Sequence, residues 1–297
     1  MREFSFTVSK EEEGMAIKKI LKRNFNFSSR LFARLKAQKR VFLNGIPLEG
    51  WMNPREGDRI VAVMPEEASH FPEEDIPVDP LYEDQDLLII NKPAGFTVHP
   101  TKGRPAHTMA NGIQKYMRES GEKYKIRFVN RLDMDTSGIL VIAKNSHAQD
   151  NLTGQMHTGE IRKYYQAIVI GRVEPDQFTI DLPIEKPDPD RPDRAVAPDG
   201  RGRRCVTHVR VLERFRKYTL VRLLLETGRT HQIRVHMSHI GHPVAGDSLY
   251  GGDRPWLIER QALHSCRIEF RHPAENRTLT IDAPLPDDMN QVLEKIK

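Results

Sequence analysis

The sequence has little cysteine, and its two, Cys205 and Cys266, lie far apart with no C-x-x-C pair. Neither a disulfide framework nor a structural zinc site is expected from that spacing. No apolar run approaches the roughly 20 residues that cross a bilayer, so no membrane partner is expected. The opening residues, Met1-Arg2-Glu3-Phe4-Ser5, lack the apolar core of a secretory signal, and a cytoplasmic location follows as the expectation. There is no P-loop and no Rossmann glycine pattern, so no nucleotide cofactor is indicated. Four histidines crowd one stretch, His231, His236, His239 and His242, but no H-E-x-x-H spacing occurs. With only Glu226 and Asp247 as near carboxylates, no metal site is expected there.

What is present is an ordinary soluble balance over 297 residues: 29% charged, 38% hydrophobic, net charge +5 and pI near 9.1. That length accommodates a large domain and a small one. The positive balance permits an anionic partner.

The first 64 residues read as a small α/β unit. Phe4, Phe6 and Val8 alternate like a strand, and Ile17, Ile20 and Leu21 fall at helical spacing between Gly14 and Arg23. A second helix is expected over Ser29 to Gln38. Arg30, Arg34, Lys36, Lys39 and Arg40 make this stretch basic with no acidic residue, which is either a solvated face or a phosphate-binding one. Val41 to Leu48 reads as a strand, an Asn44-Gly45 turn and a short strand, and a last strand is expected over Arg59 to Met64.

Pro65 to Pro80 holds four prolines and six acidic residues with no lysine or arginine. This composition favours an extended, solvated linker, and few contacts between the parts it joins. The expected organisation is 1–64, a linker over 65–80, and a large domain over 81–297.

The large domain alternates short strands with few helices, the pattern of a mixed sheet in an α+β fold. Strands are expected at Leu87–Ile90, Ile139–Ala143, Glu160–Gly171, Val206–Val211 and Thr219–Leu225, and helices from His107 to Arg118 and around Ala148, Leu152 and Met156. Residues 183–204 are rich in Pro, Asp and Arg and read as a long irregular loop, whose Arg201, Arg203 and Arg204 are possible phosphate contacts. The polar nonapeptide Asn130-Arg131-Leu132-Asp133-Met134-Asp135-Thr136-Ser137-Gly138 opens onto the apolar strand Ile139–Ala143. Loops carried by rigid strands often bear catalytic groups. Taken alone, this one also reads as a tight turn whose Asp and Thr bond their own backbone.

That nonapeptide closely resembles the HRLD-x-x-TSG signature of the RluA-type pseudouridine synthases. Asn91-Lys92-Pro93-Ala94-Gly95, with Val98-His99-Pro100, and Thr227-Gly228-Arg229-Thr230-His231-Gln232-Ile233-Arg234-Val235-His236 match two further blocks in order and spacing. The resemblance runs from about Leu81 to the end, and departs at Asn130, where the family usually has His. It implies a long mixed, mainly antiparallel sheet with a central cleft, and Asp133 as the catalytic carboxylate. It also implies Arg234 as the counter-charge of that carboxylate. Tyr165 is implied to pack against the target base, with Lys163 two residues before it, and Leu263 to line the pocket. Arg131 is implied to enter the RNA helix where the base leaves, beside Asn130 in the same substrate-contacting loop. The histidines of the third block are implied to be structural. The N-terminal unit, two helices followed by V-x-L-N-G and G-D-x-I, resembles an S4 RNA-binding domain. Together these imply RNA as the partner rather than DNA, chiefly large-subunit ribosomal RNA rather than tRNA, no cofactor, and a monomer.

The implied reaction joins C5 of uracil to C1′ after breaking the N1–C1′ bond. Nothing enters or leaves, so one carboxylate and a pocket that keeps the base suffice. Asp133 is compatible with attack on C1′ and with proton removal from C2′. Two other classes stay open: a glycosidase-like hydrolase pairing Asp133 with Asp135, and an RNA-binding module without catalysis.

Overall fold

The computed structural model describes residues 2–101, 103–188, 190–197, 201–275 and 277–297. The N-terminal part runs β1 (Glu3–Thr7), a single 3-10 turn, α1 (Ile17–Phe25), α2 (Ser29–Ala37), β2 (Val41–Leu43), β3 (Ile46–Pro47) and β4 (Arg59–Val63). Its sheet is antiparallel in the order β1-β4-β2-β3. The β2–β3 turn places Asn44 at φ 51° and Gly45 at φ 81°. Positive φ at both central residues matches the right-handed twist of a hairpin, which is why Asn-Gly suits this place. Phe4, Ile20, Leu21, Phe27, Leu31 and Leu35 fill the core between helices and sheet.

The larger part comprises β5 (Pro80–Glu83), β6 (Leu87–Lys92), α3 (Met109–Glu119), β7 (Arg127–Phe128), β8 (Ser137–Ala143), α4 (Ser146–Thr158) and β9 (Arg162–Ile170). It continues with β10 (Gln177–Asp181), β11 (Ile184–Glu185), β12 (Ala195–Val196), β13 (Val206–Arg214) and β14 (Tyr218–Leu225). Then come α5 (Gln232–His239), β15 (Leu263–Arg271), β16 (Thr278–Asp282) and α6 (Asp287–Ile296). One ten-stranded sheet carries the path β10-β13-β14-β9-β15-β8-β6-β5, with β16 on β15 and β7 on β8. The pairings are antiparallel except β15 with β8, so the sheet is mixed and the chain α+β.

Strands β6 and β8 read as unbroken apolar runs because both of their faces are covered. Leu87, Ile89, Ile139 and Val141 pack against Ala148 and Leu152 of α4. Leu88, Ile90, Leu140 and Ile142 pack on the other side against Met109, Ile113 and Met117 of α3. The parallel β15–β8 contact puts Gly138 opposite Ser265. A Cβ on Gly138 would lie 2.2 Å from the Ser265 carbonyl oxygen, and its φ is +106°. Only glycine fits that crossing.

Two expectations are corrected. The segment after β4 has no regular structure but is not a solvated tether. Ile76 is buried, Phe71 and Val78 pack with it against the α3 side of the sheet, and the Ser69 hydroxyl accepts the Ile126 N–H at 2.9 Å. Its few apolar residues are spaced to reach one hydrophobic face, a feature that prolines and acidic residues mask in the composition. Nor do the two parts lack contacts. The His147 ring lies 4.8 Å from Phe27 and 5.3 Å from Phe4, and Ala274 joins the N-terminal core. Arg2 grips Asp86 with both Nε and Nη2. Burial holds the His147 pKa down to about 4, so the seam carries a neutral imidazole near pH 7.

The expected loop over 183–204 contains the small ribbon β11–β12, with Ile184 opposite Val196; positions 189 and 198–200 of it lie outside the described residues. Among the described residues, no helix is long and apolar enough to cross a membrane.

Candidate active site

The nonapeptide that precedes β8 is nailed down at almost every residue. The Asn130 amide donates to Ile139 O at 3.0 Å and accepts the Val141 N–H at 2.8 Å, prolonging the β7 side of the sheet. Thr136 N–H closes a turn onto Asp133 O at 3.1 Å, so the loop is also the tight turn its composition suggests. Ser137 Oγ lies 2.9 Å from His264 Nδ1 on β15. Arg260 donates to Asp135 O at 3.0 Å.

Lys92 holds the loop from beneath. It is fully buried, and its ammonium donates to Pro93 O at 2.7 Å, Met134 O at 2.8 Å and Phe96 O at 2.9 Å. Gly95 N–H adds a bond to Met134 O at 3.1 Å. The Asn91–Gly95 turn therefore serves as a bracket for the loop. Burial pushes the Lys92 pKa down to about 7, against the opposing charges of Asp135 and Asp133 and with Arg260 helping to lower it.

At the loop's crest Asp133 keeps 27% of its side chain exposed, and its Oδ2 accepts from Arg234 Nη1 at 3.0 Å. Arg234 stands in the first turn of α5. Its other edge forms a two-pronged pair with Asp247: Nε to Oδ2 at 2.7 Å and Nη2 to Oδ1 at 2.9 Å. Asp247 is wholly buried, and its Oδ1 also accepts the Leu249 and Tyr250 N–H groups. Burial works against the Arg234 charge, but the bonds and charge of Asp247, and then Asp133, outweigh it and raise its pKa. The guanidinium stays a cation with one Nη free to serve Asp133.

The turn before α5 is set by Gln232, fully buried. Its Oε1 accepts from Thr227 Oγ1 and Arg229 N–H, and its Nε2 donates to Val206 O. His231 caps α5 in the left-handed region at φ 58°. Its Nδ1 lies 2.9 Å from the Tyr250 hydroxyl, which accepts the Arg194 N–H. That arrangement sends the phenol proton to Nδ1 and leaves the Nε2–H side toward Asp133, 3.8 Å away. Burial lowers the His231 pKa, with Asp133 pulling the other way.

The cleft beside Asp133 measures about 60 Å³. Tyr165 and Leu225 form its floor from adjacent strands, Leu263 and Ile233 its sides, and Arg131 and Arg229 its exposed mouth. Burial raises the Tyr165 phenol to about 12, so it presents a neutral ring beside Asp133. Next to the mouth lies a shallow cavity lined by Lys186, Arg194, Arg201, Arg203 and Arg229.

The fold has solved counterparts. The fold matches human RNA pseudouridylate synthase domain containing 4, with TM-score 0.61 and 22% identity over 73% of this chain and 92% of that one. It also matches human RNA pseudouridylate synthase domain containing 1, with TM-score 0.58 and 24% identity over 76% and 96%. The sequence profile described as RNA pseudouridylate synthase matches residues 86–239. The chain belongs to the RNA pseudouridylate synthase family. Similarity to the RNA pseudouridine synthase YlyB of Bacillus subtilis is 38% identity over 100% of this chain and 99% of the relative. Similarity to the ribosomal large subunit pseudouridine synthase D of Escherichia coli K12 is also 38%, over 98% and 93%.

Against that membership, the residues singled out in the sequence separate into three groups. Asp133, Arg234, Tyr165, Leu263 and Arg131 all meet at the one cleft of this pseudouridine synthase. Asn130 and Lys163 do not line it. Asn130 spends its amide on β8, and Lys163 lies on the Tyr165 side of β9 near Gly228, where burial lowers its pKa. The basic residues of the N-terminal part are dispersed. Arg30, Arg34 and Lys36 are on α2, whereas Lys39 and Arg40 follow it in the turn to β2. Arg34 donates to Ser146 Oγ at 2.6 Å and so ties α2 to α4.

Sequence reasoning missed His231 as a wall of the cleft, having taken it as structural, and missed Asp247 and Tyr250. His236 is structural, held between Thr207 Oγ1 and Leu182 O. Asp247 offered no signal, being one carboxylate in a Gly-rich loop. Among the described residues, Asp84, Asp86 and His272 are close enough to share a metal ion. Their oxygens and ring nitrogens are occupied by one another, by Arg2 and Asn145, and by nearby backbone N–H groups.

Proposed function

We propose that this chain isomerises uridine to pseudouridine in large-subunit ribosomal RNA, in the cytoplasm and as a monomer, with Asp133 as the reacting carboxylate. The observation that carries this reading is the Asp133–Arg234 contact at 3.0 Å, with Arg234 locked from behind by the buried Asp247. A carboxylate so held stays aimed, without any reorganisation when the substrate arrives.

The flipped uracil would lie on the Tyr165 ring between Leu263 and Ile233, its ribose turned to Asp133. The carboxylate then adds to C1′ as N1 leaves, or takes the C2′ proton to the same end. The detached base turns in the cleft and C5 joins C1′, with the Asp133 carboxylate leaving C1′ in the first route or the proton returning to C2′ in the second; C5 then loses its proton and N1 takes one up. Arg131 at the mouth fills the gap left in the RNA stack, offsetting part of an unstacking cost of a few kcal/mol. Arg229 and the neighbouring arginines meet phosphates on either side of the target. The N-terminal part over 1–64, acting as an S4-like domain, adds contacts through Arg30, Lys36, Lys39 and Arg40.

The test is incubation of the purified protein with a uridine-containing ribosomal RNA fragment, followed by nucleoside analysis. Pseudouridine at a defined position is expected. Free uracil would mean a hydrolase, and unaltered RNA with tight binding would mean a module without catalysis.

A further inference from the structure

A larger cavity, about 720 Å³, lies on the opposite face of the sheet from Asp133. Side chains alternate along a strand, so Tyr165 and Leu225 face the cleft while Tyr164, Gln166, Arg222 and Leu224 face this second cavity. The strand register builds a row across four strands: Gln177 opposite Arg210, Arg210 opposite Arg222, and Arg222 opposite Gln166. Like charges directly opposite one another on neighbouring strands destabilise a sheet. Here two arginines are so placed, and neither guanidinium forms a hydrogen bond or ion pair with any described residue. The carboxylates nearby are already taken: Asp282 by Arg267 at 2.6 and 3.0 Å, and Glu226 by His208 at 2.7 Å.

Two atoms of the row are shielded from solvent and unpartnered, Arg222 Nε and Gln166 Oε1. The first needs an acceptor and the second a donor. A buried donor or acceptor left without a partner keeps its full desolvation cost, so a row carrying both beside an unneutralised arginine pair is poised for a ligand. The pocket falls within the roughly 300–1,000 Å³ typical of small-molecule sites. Phe178, Tyr164 and Leu285 give it an apolar wall.

We propose that this back-face cavity binds a phosphate-bearing nucleoside, its phosphate between Arg210 and Arg222 and its base against the apolar wall. The phosphate neutralises the arginine pair, and a ring or ribose donor satisfies Gln166 Oε1. The source is either a free nucleotide or a nucleotide unit of bound RNA.

AMP, inorganic phosphate and adenosine are titrated calorimetrically into the full-length protein, with an unstructured RNA strand as a parallel arm. The variants are Arg210→Met/Arg222→Met and, separately, Asp133→Asn. A free-nucleotide site gives AMP binding that falls at least tenfold in the double variant and survives Asp133→Asn, with phosphate and adenosine each weaker than AMP. An RNA-borne nucleotide gives no AMP binding, but RNA affinity falls in the double variant with a flatter salt dependence. Turnover on saturating RNA stays at the wild-type level in both cases, which also reports that the double variant folds. If it does not fold, Arg210→Met alone carries the comparison from the exposed end of the row. Equal affinities of wild type and arginine variant for both AMP and RNA, or no binding of either, overturn the proposal.

Discussion

Lys92 shows how a single buried residue governs the geometry of a loop whose chemistry lies elsewhere. Its three N–H groups go to three carbonyls, one of which belongs to the loop that bears Asp133. Lys92→Met keeps the length and leaves those acceptors bare. We expect a loss of at least about 2 kcal/mol in unfolding free energy, since each orphaned buried acceptor costs roughly 1–3 kcal/mol. The pH dependence has a definite sign. Lys92 titrates near 7 in the folded chain and near its ordinary 10.5 when unfolded. Between these values the unfolded chain holds more protons, so this group makes the wild type more stable as pH rises from about 7 to about 10. Denaturant unfolding of both proteins across that window should show their difference widening; a constant difference would contradict it. The role of Lys92 was hidden in the sequence, where Asn91–Gly95 stands out only as a block that matches the family. Tyr165 was ambiguous for another reason, since a core aromatic and a base platform are equally buried.

Among the elements, the loop that bears Asp133 and β8 were legible because polar turn chemistry gives way abruptly to a fully apolar run. The Asn44-Gly45 hairpin was legible from its dipeptide alone. Helix α5 was not. Gln232 through Met237 are all buried, so no polar face sets a 3.6-residue period for a reader to find. Yet α5 is what aims Arg234, and the loop after it brings Asp247 behind the guanidinium. Asp247→Asn removes the charge but not the volume. We expect a stability loss of about 3–5 kcal/mol, the usual cost of breaking one side of a buried pair. We also expect kcat to fall at least tenfold with KM nearly unchanged, because the fault is in aiming Asp133 and not in holding RNA. Steady-state kinetics and thermal unfolding check both; a raised KM at unchanged kcat would assign Asp247 to substrate binding.

At the scale of the whole molecule, composition indicated a boundary but misjudged how the parts meet. A proline-rich acidic stretch looks like a tether, and it is extended, but Ile76, Phe71 and Val78 cover one face of the β6–β8 core. Chains beginning at residue 65 and at residue 80 should therefore differ. The shorter one exposes that face and should be less stable by about 2–4 kcal/mol, on the order of one or two buried aliphatic side chains. Denaturant midpoints measure this, and equal midpoints would show that the segment contributes nothing. Both truncations also remove the exposed Arg30 and Lys39. The slope of log affinity for ribosomal RNA against log salt should flatten by roughly 0.9 for each duplex phosphate that is no longer neutralised. An unchanged slope would leave the basic residues of α2 as a solvated face.

The central claim is that one carboxylate, Asp133, performs the isomerisation. Asp133→Asn keeps the volume and the contact with Arg234 but has no ionised oxygen to attack C1′ or to take a proton. Single-turnover formation of pseudouridine, measured beside RNA affinity and thermal unfolding, tests it directly. The account predicts no detectable product with affinity and stability near those of the wild type. Turnover within tenfold of wild type would contradict it.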